Sequence, residues 1–155
     1  MYMTDAMQQQ GFEHYEISNF SKPGHYSKHN TNYWKGVKYL GIGPSAHSYD
    51  GEGRQWNVAG NAKYIQSLNQ GLIPAEKEIL SETDRLNEYI MTSLRTMWGL
   101  DLNKLNTIAA GASDELLKLT PVFFEKEWIS RTDNIIYLTP AGKLYADHIA
   151  SELFF

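Results

Sequence analysis

Side chains able to ligate, stack or donate protons concentrate in one stretch, Pro23-Gly24-His25-Tyr26-Ser27-Lys28-His29-Asn30-Thr31-Asn32-Tyr33-Trp34. Imidazole ligates haem iron or zinc, a phenol ligates ferric haem or donates a hydrogen bond, and indole offers a flat face to a macrocycle. His29, Asn30, Tyr33 and Trp34 are therefore suited to a porphyrin. The same residues also suit a plainer role, in which Tyr33 and Trp34 anchor a loop and His29 bonds a backbone carbonyl. A zinc site from His25, His29 and His47 is disfavoured, because the stretch reads as a loop without the helical spacing that aligns two imidazoles.

A second constellation is Gly41-Ile42-Gly43-Pro44-Ser45-Ala46-His47-Ser48. Two glycines at a strand end let backbone amides and carbonyls meet a nucleotide or sugar, and they equally let two segments of backbone pack closely. A dinucleotide fingerprint is absent, since the third glycine of G-x-G-x-x-G would fall on Ala46 and Pro44 does not open a helix there. No catalytic centre emerges. Glu13 and Glu16 fall on opposite faces of a regular strand, and Ser45 with His47 lacks a third partner.

The elements that must position these residues follow from periodicity. Residues 4–10 end at Gly11 as a helix tail, and Gly11 to Phe20 predicts a strand ending in a Ser-Asn turn. Lys22-Pro23-Gly24 breaks regular structure, and the stretch to Lys38 reads as a long loop. Tyr39 to Gly43 predicts a short apolar strand, Asp50 to Arg54 a hairpin, and Asn61 to Asn69 a helix, with Pro74 as a boundary. Beyond it, Ser81 opens a helix whose Leu86, Tyr89, Ile90, Leu94, Met97 and Trp98 recur at three- and four-residue spacing up to Gly99. A helix over 102–110 and another from Ser113 through Phe124, kinked at Pro121, precede a hairpin of 128–131 with 135–138. Thr139-Pro140 opens a last helix with the stripe Leu144, Tyr145, Ile149 and Leu153.

Composition narrows the function. The chain has 155 residues, no cysteine and a net charge of −4. It therefore lacks the thiolates of a zinc ribbon, a disulfide framework or a cysteine-held iron–sulfur cluster. Residues 1–74 carry six basic and five acidic side chains, and residues 75–155 carry eight and thirteen. Three helices, a hairpin and a trailing helix make the second half winged-helix-like. Its recognition region, Ser113 to Trp128, sets Lys118 and Lys126 against Asp114, Glu115, Glu125 and Glu127, so nucleic acid is not the expected partner. No stretch has the length of a membrane span, and a cytoplasmic location is expected.

Three blocks in order resemble one family: Tyr15-Glu16-Ile17-Ser18-Asn19-Phe20-Ser21-Lys22-Pro23-Gly24, then His29-Asn30-Thr31-Asn32-Tyr33-Trp34, then Tyr39-Leu40-Gly41-Ile42-Gly43-Pro44-Ser45-Ala46-His47-Ser48. Together with Leu138-Thr139-Pro140-Ala141-Gly142 they look like the C-terminal part of the oxygen-independent coproporphyrinogen III oxidase-like radical SAM family (HemN/HemW type), nearest its haem chaperone branch. The resemblance implies an α+β fold: the end of a partial (β/α) barrel at 1–74, followed by a mainly helical winged-helix-like domain at 75–155. It implies haem or porphyrin contacts at His29, Asn30, Tyr33 and Trp34, with His29 as axial ligand, and S-adenosylmethionine contacts at Gly43, Ala46 and His47. The family's S-adenosylmethionine-cleaving [4Fe–4S] centre uses a cysteine triad that this chain lacks. The expectation is therefore a fragment, not catalytic alone, whose partner is the absent N-terminal barrel portion and whose unpaired strand edges favour a homodimer. Whether the parent oxidises coproporphyrinogen or carries haem is open, and the alternative is an acidic winged-helix interaction module with no ligand.

Overall fold

A computed structural model describes residues 2–155. In chain order the elements are α1 (Tyr2–Gln9), β1 (Glu13–Glu16), β2 (Asn19–Ser21), α2 (Lys28–Trp34), β3 (His47–Tyr49), β4 (Gly53–Asn57), α3 (Asn61–Asn69) and β5 (Ala75–Ile79). Then come α4 (Glu82–Leu94), β6 (Leu100–Asp101), α5 (Leu102–Ile108), α6 (Ala112–Leu119), α7 (Pro121–Glu125), β7 (Ile129–Thr132), β8 (Ile135–Leu138), a 3-10 turn (Gly142–Tyr145) and α8 (Ala146–Glu152). They form two compact units, one of residues 1–35 with 82–155 and one of residues 36–81. This grouping differs from a single division after position 74. Strand β5 pairs along its length with β4, which draws 75–79 to the second unit, while Tyr15 and Ile17 exchange backbone hydrogen bonds with Met97 and Arg95 in the first.

The first unit is built on α4. Its Leu86, Ile90 and Leu94 recur every four residues, so one stripe faces inward, and all three are buried. They meet Leu105 of α5, Leu116 of α6, and Ile149 with Leu153 around α8 in one apolar core. Strands β6, β8 and β7 close one side as an antiparallel sheet with Leu100 opposite Ile136 and Ile129 opposite Leu138. Polar side chains fix the joints. The Asp101 carboxylate accepts the Asn103 N–H at 2.8 Å and caps α5. Asn106 accepts the Ser113 N–H at 2.9 Å and donates to its hydroxyl at 2.8 Å, tying α5 to α6. The Tyr89 hydroxyl accepts the Asp101 N–H at 3.0 Å, and burial pushes that phenol up to about 12. Gly142 packs so tightly that a Cβ would sit 1.8 Å from the Trp128 carbonyl oxygen, and Thr139 Oγ1 accepts its N–H at 3.0 Å.

The second unit is a three-stranded antiparallel sheet in the order β3-β4-β5, with α3 between its second and third strands in sequence. The β3–β4 turn is set by Asp50, whose Oδ1 accepts the N–H groups of Glu52 and Gly53 at 2.9 and 2.8 Å. Those bonds hold its carboxyl below the usual carboxylate range.

Several expectations are revised. Gly11 to Phe20 is a hairpin, because Ile17-Ser18 turns the chain and the pairing shifts register between His14 and Glu16. Residues 28–34 are helical instead of looped, capped by Ser27. Tyr39 to Gly43 is not a strand, since only Tyr39 forms a bridge, to Tyr49, and Leu40 and Ile42 are 77% and 83% exposed. Strands β5 and β6 carry no sequence signal strong enough to anticipate them: β5 reads Ala-Glu-Lys-Glu-Ile and β6 has two residues. The helix from Ser113 divides at Thr120, with Pro121 opening α7 rather than kinking a continuous helix. Only half of the last apolar stripe is core, for Ile149 and Leu153 are buried while Leu144 is 66% exposed. Truncating Ile90 to Ala should cost about 2–5 kcal/mol by urea unfolding. Leu40→Ala, on exposed surface, should stay within about 0.5 kcal/mol.

Candidate functional site

Ser27 starts the central element, its hydroxyl accepting the Asn30 N–H at 3.4 Å and α2 then running through Trp34. The helix changes what the motif spacing means. Residues four apart share a face, so His29 lies one turn before Tyr33, and Asn30 one turn before Trp34. His29 is exposed and Tyr33 is 54% exposed, so an imidazole and a phenol stand together on the open side. Asn30 and Trp34 are partly buried on the side that packs. The Trp34 ring lies under the Arg95 guanidinium, 5.6 Å from centroid to Cζ, and edge-on to Tyr33 at 5.5 Å. Two buried polar atoms of the helix, Trp34 Nε1 and Thr31 Oγ1, have no hydrogen-bond partner.

Residues outside the motif hold it. Glu16, 2% exposed, accepts from the Asn19 amide at 2.5 Å, and its carboxylate lies 3.9 Å from Arg95 Nε. Arg95 also pairs with Asp147. The rings of Tyr15, Tyr26 and Trp98 pack at 5.2 to 6.5 Å, with the Lys35 ammonium 4.4 Å above Trp98. Tyr26 donates to Glu13, an interaction that raises its phenol above the ordinary range. Arg95 carries no sequence signal, and Glu16 reads from sequence only as a strand carboxylate without a partner, because a contact across about eighty positions leaves no periodic trace. The nearest available signal was an acidic residue beside an aromatic pair in a strand.

His14 and Lys143 form a second electrostatic pair in this unit. His14 Nε2 donates to the Ile17 carbonyl at 2.9 Å, which leaves Nδ1 to accept from the Lys143 ammonium at 3.2 Å. Burial pushes both groups down from their usual values, and the nearby Lys143 charge also lowers His14.

Gly43, Ala46 and His47 belong to the second unit. Gly43 to Ala46 is a turn in which Ala46 N–H bonds the Gly43 carbonyl at 3.3 Å and Ser45 takes a φ of 59°. Asn57, 6% exposed, donates to the Gly43 carbonyl at 2.9 Å and the Gly41 carbonyl at 3.4 Å. The Gly43 N–H reaches the Tyr64 hydroxyl at 3.3 Å, and the Ala46 carbonyl accepts from Asn57 N–H. These backbone groups are thus paired within the unit, while the His47 ring, 6.4 Å from Trp56, is exposed and the Cα face of Gly43 is open. Gly41 serves close packing: a Cβ there would lie 2.1 Å from the His47 carbonyl oxygen.

The donor set fits haem better than a protein-caged metal. No three His, Cys, Asp or Glu side chains among the described residues cluster as a metal cage. An exposed imidazole such as His29, with the Tyr33 phenol one turn on, has the donor chemistry that a haem iron takes. The orphaned Trp34 indole N–H marks the helix as polar-incomplete on its packed side.

No protein-family model matches the chain. It is 32% identical to the heme chaperone HemW of Synechocystis, over 97% of this chain and 41% of that protein, and 32% identical to the heme chaperone HemW of Bacillus subtilis, over 92% and 38%. The fold matches that of the coproporphyrinogen III oxidase HemN from Escherichia coli, described as a radical SAM enzyme, with a TM-score of 0.74 at 17% identity over 99% of this chain and 39% of the other. The chain thus spans about two-fifths of the length of these relatives.

Two outcomes follow from the geometry. Gly41→Ala should cost about 1–3 kcal/mol through overpacking against His47, read as a lowered urea midpoint. Because the His14 pKa is lowered from 6.5 by folding, its stabilising share is complete above that value and is lost as pH falls through the folded pKa. Stability should therefore drop between pH 7.5 and 5.5, roughly the span around the unperturbed imidazole value, and His14→Asn should drop less.

Proposed function

The chain belongs to the HemN/HemW-type family and corresponds to its C-terminal region, and from that premise we propose that it supplies the haem-contacting helix of a haem chaperone. The observation that carries this reading is the placement of His29 and Tyr33 on one exposed face of α2, while Trp34 on the adjoining face packs on Arg95. His29 would serve as axial donor and Tyr33 would hydrogen-bond or co-ligate. Trp34 orients the helix through its packing, and Asn30 completes the turn below it. Haem, when bound, would supply the iron, and what this chain would contribute is an exposed imidazole on a short helix.

Gly43, Ala46 and His47 are proposed as contacts to S-adenosylmethionine in the whole protein. The paired state of the Gly43 and Ala46 backbone leaves the His47 imidazole as the group free to reach the ligand. The chain contains no cysteine, so the thiolates of a [4Fe–4S] centre are supplied by none of its residues. The winged-helix reading of the second half and the cytoplasmic location are part of the same proposal. Support for the former comes from three packed helices and a β-sheet that ends in the β7–β8 hairpin.

Titration with haemin tests the ligand assignment. His29→Ala should weaken binding by about tenfold or more, equivalent to about 1.4 kcal/mol, and shift the Soret band. Equal affinities and spectra for the variant and the parent chain would sink it. Tyr33→Phe should retain binding with an altered spectrum, because it keeps the ring and removes the hydroxyl.

A further inference from the structure

The first unit contains a cleft of about 340 Å³ lined by Ile17, Ser18, Arg95, Lys143 and residues 144–148. None of the motif residues lines it. Its wall is mixed: Arg95, Lys143, Asp147 and Ser18 are polar, while Ile17, Leu144 and Tyr145 supply an apolar part, with Tyr145 stacked on Trp128 at 4.2 Å.

Lys143 is the uncompensated charge here. Its ammonium carries three donors. One goes to His14 Nδ1 at 3.2 Å and one to the His14 carbonyl at 3.3 Å. His14 accepts through Nδ1 in its neutral form and brings no negative charge. No carboxylate lies within 4 Å of the ammonium among the described residues, and desolvation by burial alone lowers its pKa. A half-buried ammonium with a donor to spare and no counter-ion gains more from an anion than a solvated lysine does.

Arg95 differs, because Glu16 and Asp147 flank it. The Asp147 side chain is 84% exposed. A pair so exposed on one side holds weakly, so an incoming carboxylate competes with it. Asp147, itself a carboxylate, already sits on Arg95.

We propose that this cleft binds a carboxylate carried on an apolar body, with Lys143 and Arg95 taking the charge and Ile17, Leu144 and Tyr145 covering the body. Two sources share that chemistry, a porphyrin propionate and a free small organic acid. The porphyrin source rests on the haem reading above, whereas the free-acid source does not. Arg95 touches both the cleft and the Trp34 ring, so a propionate held there would be coupled to the helix that presents His29.

The test uses the full chain, labelled with 15N and titrated with sodium propionate and with benzoate. Saturable amide shifts should cluster at Ile17, Ser18 and 144–148, with millimolar dissociation constants. Benzoate should bind more tightly than propionate because it covers more apolar surface. Lys143→Met should weaken both by about tenfold, the loss of one charge-assisted bond. Lys143→Arg should restore most of the affinity, and Asp147→Asn should tighten binding several-fold by removing the internal competitor. A second arm compares haemin with haemin dimethyl ester. Weaker haemin binding in Lys143→Met, with the ester unaffected, identifies the propionate as occupant. Free-acid binding without that haemin effect identifies a small carboxylate instead, and stands even where haem does not bind at all. Absence of saturable shifts at the cleft, or benzoate affinity unchanged in both Lys143→Met and Asp147→Asn, overturns the proposal.

Discussion

The first unit depends on a three-residue seam. Residues Tyr15, Glu16 and Ile17 lie against Arg95, Thr96 and Met97, joined by Met97 N–H to the Tyr15 carbonyl at 3.0 Å and Ile17 N–H to the Arg95 carbonyl at 2.9 Å, with Glu16 and Thr96 bridged between them. At its centre the Glu16 carboxylate is withdrawn from water. A buried carboxylate costs several kcal/mol unless charge and hydrogen bonds offset it, and here Asn19 and Arg95 supply both. The seam is therefore more than a hydrogen-bonded strand edge. It fixes the direction of the Arg95 side chain, and that side chain in turn serves Trp34, Asp147 and the cleft.

Helix α2 shows why such an anchor is needed. Seven residues are too few for an isolated helix in water, where nucleation outweighs the few hydrogen bonds that close. Its sequence is also poor in strong helix formers, with two asparagines, a threonine and a histidine. Stability must come from packing, and the packing available is Trp34 on Arg95 and the ring cluster of Tyr15, Tyr26 and Trp98 next to it. The division of labour along the motif follows. Trp34 and Asn30 spend their surface on attachment, which leaves His29 and Tyr33 on the exposed face.

Periodicity reached the elements whose burial is one-sided and long. Helix α4 was legible because Leu86, Ile90 and Leu94 repeat at the helical spacing, and the β7–β8 hairpin because the polar turn Thr132-Asp133-Asn134 separates two strand-forming runs. It failed where pairing, rather than patterning, makes the structure. Strand β5 is held by five residue pairs with β4 yet leaves Ile79 88% exposed, so its sequence carries no alternation to read. Helix α2 was hidden by the same cause in another form: its stability is tertiary, and its residues read as loop. The motif identities were legible, but their geometry was not, because the His29–Tyr33 pairing exists only once the stretch is helical. Arg95 and Asn57 act through distant partners and left no local sign, and Glu16 was visible as a carboxylate but not its pairing with Arg95.

His14 illustrates how one half-buried ring sets the character of the neighbouring surface. Its Nε2 hydrogen is committed to Ile17, so Nδ1 is left as an acceptor, and an acceptor at that position orients the Lys143 ammonium without neutralising it. Replacing that imidazole by a carboxylate would have produced an ordinary ion pair and a closed, electrically quiet surface. A neutral acceptor instead leaves the positive charge whole, while burial makes that charge costly to keep bare. Arg95 stands at the same cleft but is flanked by two carboxylates, one buried and one exposed. The asymmetry gives the cleft a permanent attraction for anions at Lys143 and an exchangeable one at Arg95. It also links surface charge to the seam at Glu16, since whatever displaces Asp147 meets a guanidinium whose other side is fixed by a buried carboxylate and a tryptophan face.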